Sequence, residues 1–145
     1  MSNQNALLPV YHFQVQWGGA KVGFTEVTGL DIHFEPISYR QGADPEPVTR
    51  WIPGLTKYSP ITLKRGVMKG DNDFFNWMNS RQGSAIERRD ITIQLLNEQH
   101  QPVVSWKVKN AFPVSYMGPE LYAHGNEIAI ETLVLAHEGL EVENA

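Results

Sequence analysis

The chain has 145 residues, a formal net charge of -4 and no cysteine. That length suits one domain with a core of its own. The charge speaks against nucleic acid as the primary partner, which needs a clustered positive surface, and the missing cysteines exclude a disulfide scaffold and thiolate chemistry.

Residues 1–10 read as a flexible polar tail without a signal-peptide pattern. No apolar run approaches the ~20 residues of a transmembrane segment. From Tyr11 the pattern is strict: Tyr11, Phe13, Val15 and Trp17 alternate with polar residues, the period of a half-buried strand. Gly18-Gly19 is a turn signal, and Ala20, Val22 and Phe24 resume the alternation, so 11–27 is expected to form a β-hairpin. Leu30, Ile32 and Phe34 open the next strand, 30–40. Ile37 and Tyr39 are out of phase with them, which predicts a bulge at Glu35-Pro36 that flips the apolar face.

Residues 41–60 follow as a long arm. Pro36, Pro45, Pro47, Pro53 and Pro60 in and beside it fix φ and remove donors, so it is read as neither a helix nor a central strand. Yet it carries Val48, Trp51, Ile52, Leu55 and Tyr58, too apolar a set for disorder. An apolar, proline-stiffened arm too long for its own domain is expected to dock on a neighbouring subunit. The candidate interface is Asp44, Glu46, Arg50, Trp51, Ile52, Leu55 and Tyr58, with Lys64 and Arg65 read as pairing with Asp44 and Glu46 of an adjacent subunit. The alternatives are aromatics folded back on their own domain and, for Lys64-Arg65 and Arg88-Arg89, ordinary strand-end charges.

A return strand is expected at 61–65 and a helix at 71–82. Asp71 is placed as N-cap, Asp73 in the first turn, Phe74, Trp77 and Met78 on one apolar stripe, and Gly83 at C′. Ile91, Ile93 and Leu95 alternate, as do Val104, Trp106 and Val108. With a turn at Asn97-Glu98-Gln99-His100 they predict a second hairpin, which Val114 and Tyr116 extend. Residues 117–127 read as a loop. The last strand starts at Ile128 and is apolar on both sides over 133–136, which predicts two buried environments. Phe13, Trp17, Phe74, Trp77 and Trp106 are the expected core. Seven or eight strands and one helix make a mainly β fold: a single-domain β-barrel over 11–145 with one flanking α-helix and a long extended arm.

Catalytic and metal patterns fail on inspection. No two of the five histidines have ligand spacing, and His137-Glu138 lacks the second histidine of H-E-x-x-H. Asp71 and Asp73 start like a calcium loop, but Phe75 and Asn76 stand where it needs a ligand and a glycine. Gly18-Gly19-Ala20-Lys21 is not followed by the G-K-[ST] of a phosphate loop. The carboxylate pairs Glu26 with Asp31 and Glu127 with Glu131 are read as solvated strand ends. No enzyme activity, cofactor or metal is expected.

The blocks HFQVQWGG (12–19), GFTEVTGLD (23–31), PGLTKYSPITLKRGVMKGDNDFFNW (53–77), RRDITIQLLNEQHQPVVSWKVKNAFP (88–113) and GNEIAIETLVLAHEGL (125–140) resemble, in this order, the inner-tube proteins of phage-tail-like contractile injection systems. They are more distantly similar to contractile-phage tail-tube proteins, which share a fold with the haemolysin-coregulated protein of type VI secretion. The segment 43–54 matches less tightly than its flanks. The resemblance implies homo-hexameric rings that stack into a hollow tube inside a sheath. That tube is driven through a target envelope on contraction, with baseplate and tube-initiator proteins as partners and possible cargo in the lumen. It also implies assembly in the producing cell's cytoplasm, as part of a phage-tail-like particle. The alternatives are a tube-initiating ring at the baseplate of the same machine and, in a different class, a small-ligand-binding β-barrel.

Overall fold

Strand β7 (Pro102–Met117) is the spine of the fold. A computed structural model describes residues 7–19, 21, 23–40, 42–43 and 49–144. At Asn110 the backbone takes φ 52 and the ladder slips, which bends the strand. Asp90 Oδ1 accepts the Asn110 amide at 3.0 Å and holds the bend. Before the bend β7 lies between β6 (Arg89–Leu96) and β9 (Gly139–Asn144); after it, β7 pairs with β8 (Ile130–Ala136). Beyond β8 come β5 (Ile61–Gly66) and then β2 (Phe24–Thr28), and beyond β6 comes β1 (Phe13–Gln16). All pairs are antiparallel. Two curved sheets therefore share β7 and close over one core.

That core draws Val15, Ile61, Leu63, Ile91, Ile93, Val108, Leu133 and Leu135 from the alternating positions of both sheets. Trp17 sits at its centre, 4.9 Å from the Phe74 ring and 6.0 Å from the Trp77 ring. Both partners come from α1 (Asp73–Met78), the one α-helix among the described residues, so the aromatic cluster is what fastens α1 to the sheet. Trp17, Phe74 and Trp77 are fully buried as expected, whereas Phe13 and Trp106 are half-buried.

The second hairpin forms as expected, with Ile91 opposite Val108, Ile93 opposite Trp106 and Leu95 opposite Val104. The first does not form. β1 pairs β6 and β2 pairs β5, so the two strands end at opposite edges of the hydrogen-bonded path, which is open among the described residues. Alternation fixes which face a strand buries but not which neighbour it pairs with. Trp17, just after β1, turns into the core, and the exposed Gly18 that follows takes φ 92. Helix α1 is half the expected length. Ser80 Oγ donates to the Trp77 carbonyl at 2.6 Å and the Asn79 amide donates to Phe75, closing the helix four residues before Gly83. Asn72, not Asp71, holds the N-cap position. The last strand splits in two at His137-Glu138, and its apolar stretch stays one-sided: Glu131, Leu133 and Leu135 are buried, while Thr132, Val134 and Ala136 are half-exposed.

Candidate assembly interface

The arm contains a strand. Residues β3 (Ile32–Tyr39) and β4 (Arg50–Tyr58) form a separate two-stranded antiparallel ribbon that projects from the body and barely touches it. In such a ribbon every second N–H points outward. Pro36 and Pro53, which face one another, therefore leave no ladder bond unmade.

The register slips where expected, but the extra residue is on the opposite strand. One residue, Glu35, separates Phe34 from Pro36, whereas Gly54 and Leu55 separate their partners Pro53 and Thr56. A Cβ on Gly54 would stand 2.2 Å from the Glu35 carbonyl oxygen, so the bulge requires glycine. Directly opposed residues share a face. One face therefore carries Ile32, Phe34, Tyr58, Pro36, Pro53 and Trp51; the other carries Ile37, Ile52, Leu55 and Tyr39. The first face is largely apolar, whereas the second alternates its apolar residues with His33, Glu35, Lys57 and Arg50, and Lys57 pairs with Glu35 at 3.6 Å. Both faces are exposed, Trp51 to 64% and Leu55 to 82%. An isolated two-stranded ribbon is marginal in water, and an exposed apolar surface of this extent marks an interaction site.

The base of the ribbon is held tightly. Gly29 (φ 92) passes so close to Pro60 that a Cβ would lie 2.0 Å from its carbonyl oxygen. His137 Nδ1 and Nε2 lie 3.1 Å from the Gly139 and Ser59 carbonyl oxygens, and its ring rests 5.1 Å from Tyr58. Tyr58 is thus half-buried against its own domain, while Arg50, Trp51, Ile52 and Leu55 are exposed along the ribbon. Asp44 and Glu46 lie outside the described residues.

Lys64 and Arg65 part company. Lys64 is half-exposed and pairs with Glu26 on β2 at 3.1 Å. Arg65, expected at the interface, is instead 1% exposed and paired inside the domain. Its Nε donates to Glu131 Oε1 at 2.7 Å, and its two terminal nitrogens donate to Asp71 at 3.0 Å each. The guanidinium lies 4.1 Å from the Phe74 ring centroid, and Tyr116 Oη donates to the other Glu131 oxygen at 3.1 Å. Burial pushes the Asp71 carboxyl up, but the Asp73 amide and the Arg65 guanidinium outweigh it and hold it below the ordinary carboxylate range. Burial and the bond to Glu131 together raise the Tyr116 phenol. The cluster ties β5, β7 and β8 to the approach to α1. Its signal was in the sequence: Arg65 shares the buried phase of Ile61 and Leu63, and Glu131 that of Leu133 and Leu135.

An apolar cleft of 410 Å³ opens between the unpaired edges of β1 and β2, lined by Phe13, Val27, Leu30 and Trp106. Side chains fill the interior of the sheets, which leaves a ligand-barrel reading to surface clefts such as this one. A second exposed apolar area, Leu121 and Ile128 on the 117–129 loop, had no sequence periodicity to reveal it.

Fold and surface together define a small mainly β protein with an exposed two-stranded ribbon. The family model for T4-like virus tail tube protein gp19 matches residues 9–141, and the chain belongs to this family. A chain in the extended-state sheath-tube complex of the extracellular contractile injection system PVC is 34% identical, with a TM-score of 0.89 over 100% of this chain and 99% of that one. A chain in the tube-terminating cap of the anti-feeding prophage is 37% identical, with a TM-score of 0.89 over 100% and 95%. Hcp1 from Flavobacterium johnsoniae, 13% identical over 92% of this chain and 95% of its own, shares the fold with a TM-score of 0.61. No curated protein matches the chain.

Proposed function

We propose that the chain is the repeating subunit of the inner tube of a contractile injection machine. Six copies form a ring, rings stack into a hollow tube inside a sheath, and baseplate and initiator proteins start it. The tube does no chemistry; contraction drives it through a target envelope. Subunits are made and assembled in the cytoplasm of the producing cell and leave it within the particle.

One observation carries this reading: a tail-tube family member bears a ribbon with an exposed, largely apolar face, anchored to its own domain at the base. A ribbon seated on a different surface of the next copy is a heterologous contact, which closes into a ring where its rotation allows and otherwise repeats as an open array. A stack of rings combines a closed contact within each ring with an open one between rings. The identity to a chain of the anti-feeding prophage cap favours a second reading, a ring at one end of the tube. The number of copies per assembled particle separates the two.

The test is Trp51→Ala/Leu55→Ala. Both side chains are exposed, so the variant should fold with its thermal stability nearly unchanged and fail to form tubes in sedimentation and electron microscopy. Normal tubes from the variant would remove the ribbon from the stacking contact.

A further inference from the structure

Two histidines that share no motif meet in the fold. His12 enters β1, and His100, with φ 60, tops the β6–β7 turn. Their ring centroids are 4.9 Å apart at an interplanar angle of 68°. Both sit on fixed backbone. The Leu96 amide donates to the His12 carbonyl at 2.7 Å, and the His100 amide donates to Asn97 at 2.9 Å. Asn97 Oδ1 locks the turn by accepting the Gln99 and Gln101 amides at 3.0 and 2.9 Å. Among the described residues neither imidazole hydrogen-bonds to another protein group, and His100 is open to solvent.

We propose that His12 and His100 form a two-imidazole site for a borderline divalent transition-metal ion of the copper, nickel or zinc class. Imidazole nitrogen binds such ions at about 2.0–2.1 Å, which puts each ring centre about 3.2 Å from the ion. Two rings sharing one ion then have centroids about 4.5 Å apart at a right angle and about 5.2 Å apart at the tetrahedral angle. The observed separation falls between these limits. Among the described residues no third histidine, cysteine, aspartate or glutamate joins the pair, so water completes the coordination. A bound ion ties the entry to β1 to the β6–β7 turn, linking an end strand of the open sheet to its central hairpin. The site stands apart from the ribbon, so its fate is independent of the tube assignment.

The test uses the full chain in a non-coordinating buffer at neutral pH. Calorimetric titration with Cu²⁺ and with Ni²⁺ should give one ion per chain, Cu²⁺ the tighter. His12→Ala and His100→Ala should each weaken binding at least ten-fold or so, because even loss of a residue that merely orients a ligand costs about that much. His33→Ala should leave it unchanged. Pulsed electron paramagnetic resonance of the Cu²⁺-loaded protein should detect two coupled imidazoles in the wild type and one in either variant. That readout stands on the wild type alone if a variant misfolds. No binding at one ion per chain, a single coupled imidazole in the wild type, or affinity retained in both variants overturns the proposal.

Discussion

Replacing Arg65 with Met isolates the buried charge cluster. The guanidinium is 1% exposed and Glu131 4%, so the pair is screened by neither water nor salt. Removing Arg65 leaves the Glu131 carboxylate with Tyr116 as its remaining hydrogen-bond donor among the described residues. Asp71, nearer the surface with 16% of its side chain exposed, hydrates in place. Breaking a buried pair from one side costs about 3–5 kcal/mol because an uncompensated charge stays inside. At this chain length each kcal/mol shifts the melting temperature by about 2–4 °C, so Arg65→Met should melt about 6–20 °C lower. The double variant Arg65→Met/Glu131→Leu removes both charges and should recover most of that loss. Circular-dichroism melts at low protein concentration, where association adds nothing, measure these two variants and Glu131→Leu, the third member of the cycle. A loss under about 1 kcal/mol for Arg65→Met, or a double variant as unstable as the two singles added, refutes the cluster's role as described.

Four further outcomes are expected. Trp77→Ala empties the aromatic cluster and removes the bond from Trp77 Nε1 to the Glu87 carbonyl (2.8 Å), and should cost about 3–5 kcal/mol in urea unfolding. Gly54→Ala drives a methyl into the Glu35 carbonyl and should abolish tube formation while the body's melting temperature barely moves, as sedimentation and a melt report together. Because the Asp71 carboxyl is lowered in the folded state, the unfolded chain takes up its proton first. Its contribution is complete above the ordinary carboxylate range and is lost as pH falls through the folded value, so urea midpoints should drop in acid more steeply for the wild type than for Asp71→Asn. Tyr116 runs the other way. Its phenol is raised, so its contribution is present below the ordinary tyrosine value and is lost as pH rises through the raised one; Tyr116→Phe should flatten the alkaline limb of the stability profile.

What the sequence made legible follows its periodicities. The β6–β7 hairpin was readable as a hairpin because Ile91, Ile93 and Leu95 and, beyond them, Val104, Trp106 and Val108 alternate on either side of a turn that Asn97 closes locally. The same alternation around Gly18-Gly19 misled, because pairing is decided by the whole sheet, and β6 and β5 offer β1 and β2 longer partners. The arm's apolar character was readable and its ribbon was not. Prolines usually exclude strands, and the exception is a ribbon with outward-facing donors. Arg65 was misplaced because its charge was weighed and its strand phase was not. Asp71 was placed as a cap for the same reason: its carboxylate does accept the Asp73 amide, at 3.1 Å, but it serves Arg65 as well.

Electron microscopy of the purified chain at micromolar concentration, alongside Trp51→Ala/Leu55→Ala, tests the central claim most directly. Six-fold rings stacked into hollow tubes are expected for the wild type and no stacked tubes for the variant. Discrete monomers from the wild type at every concentration, or tubes formed equally well by both proteins, would contradict it.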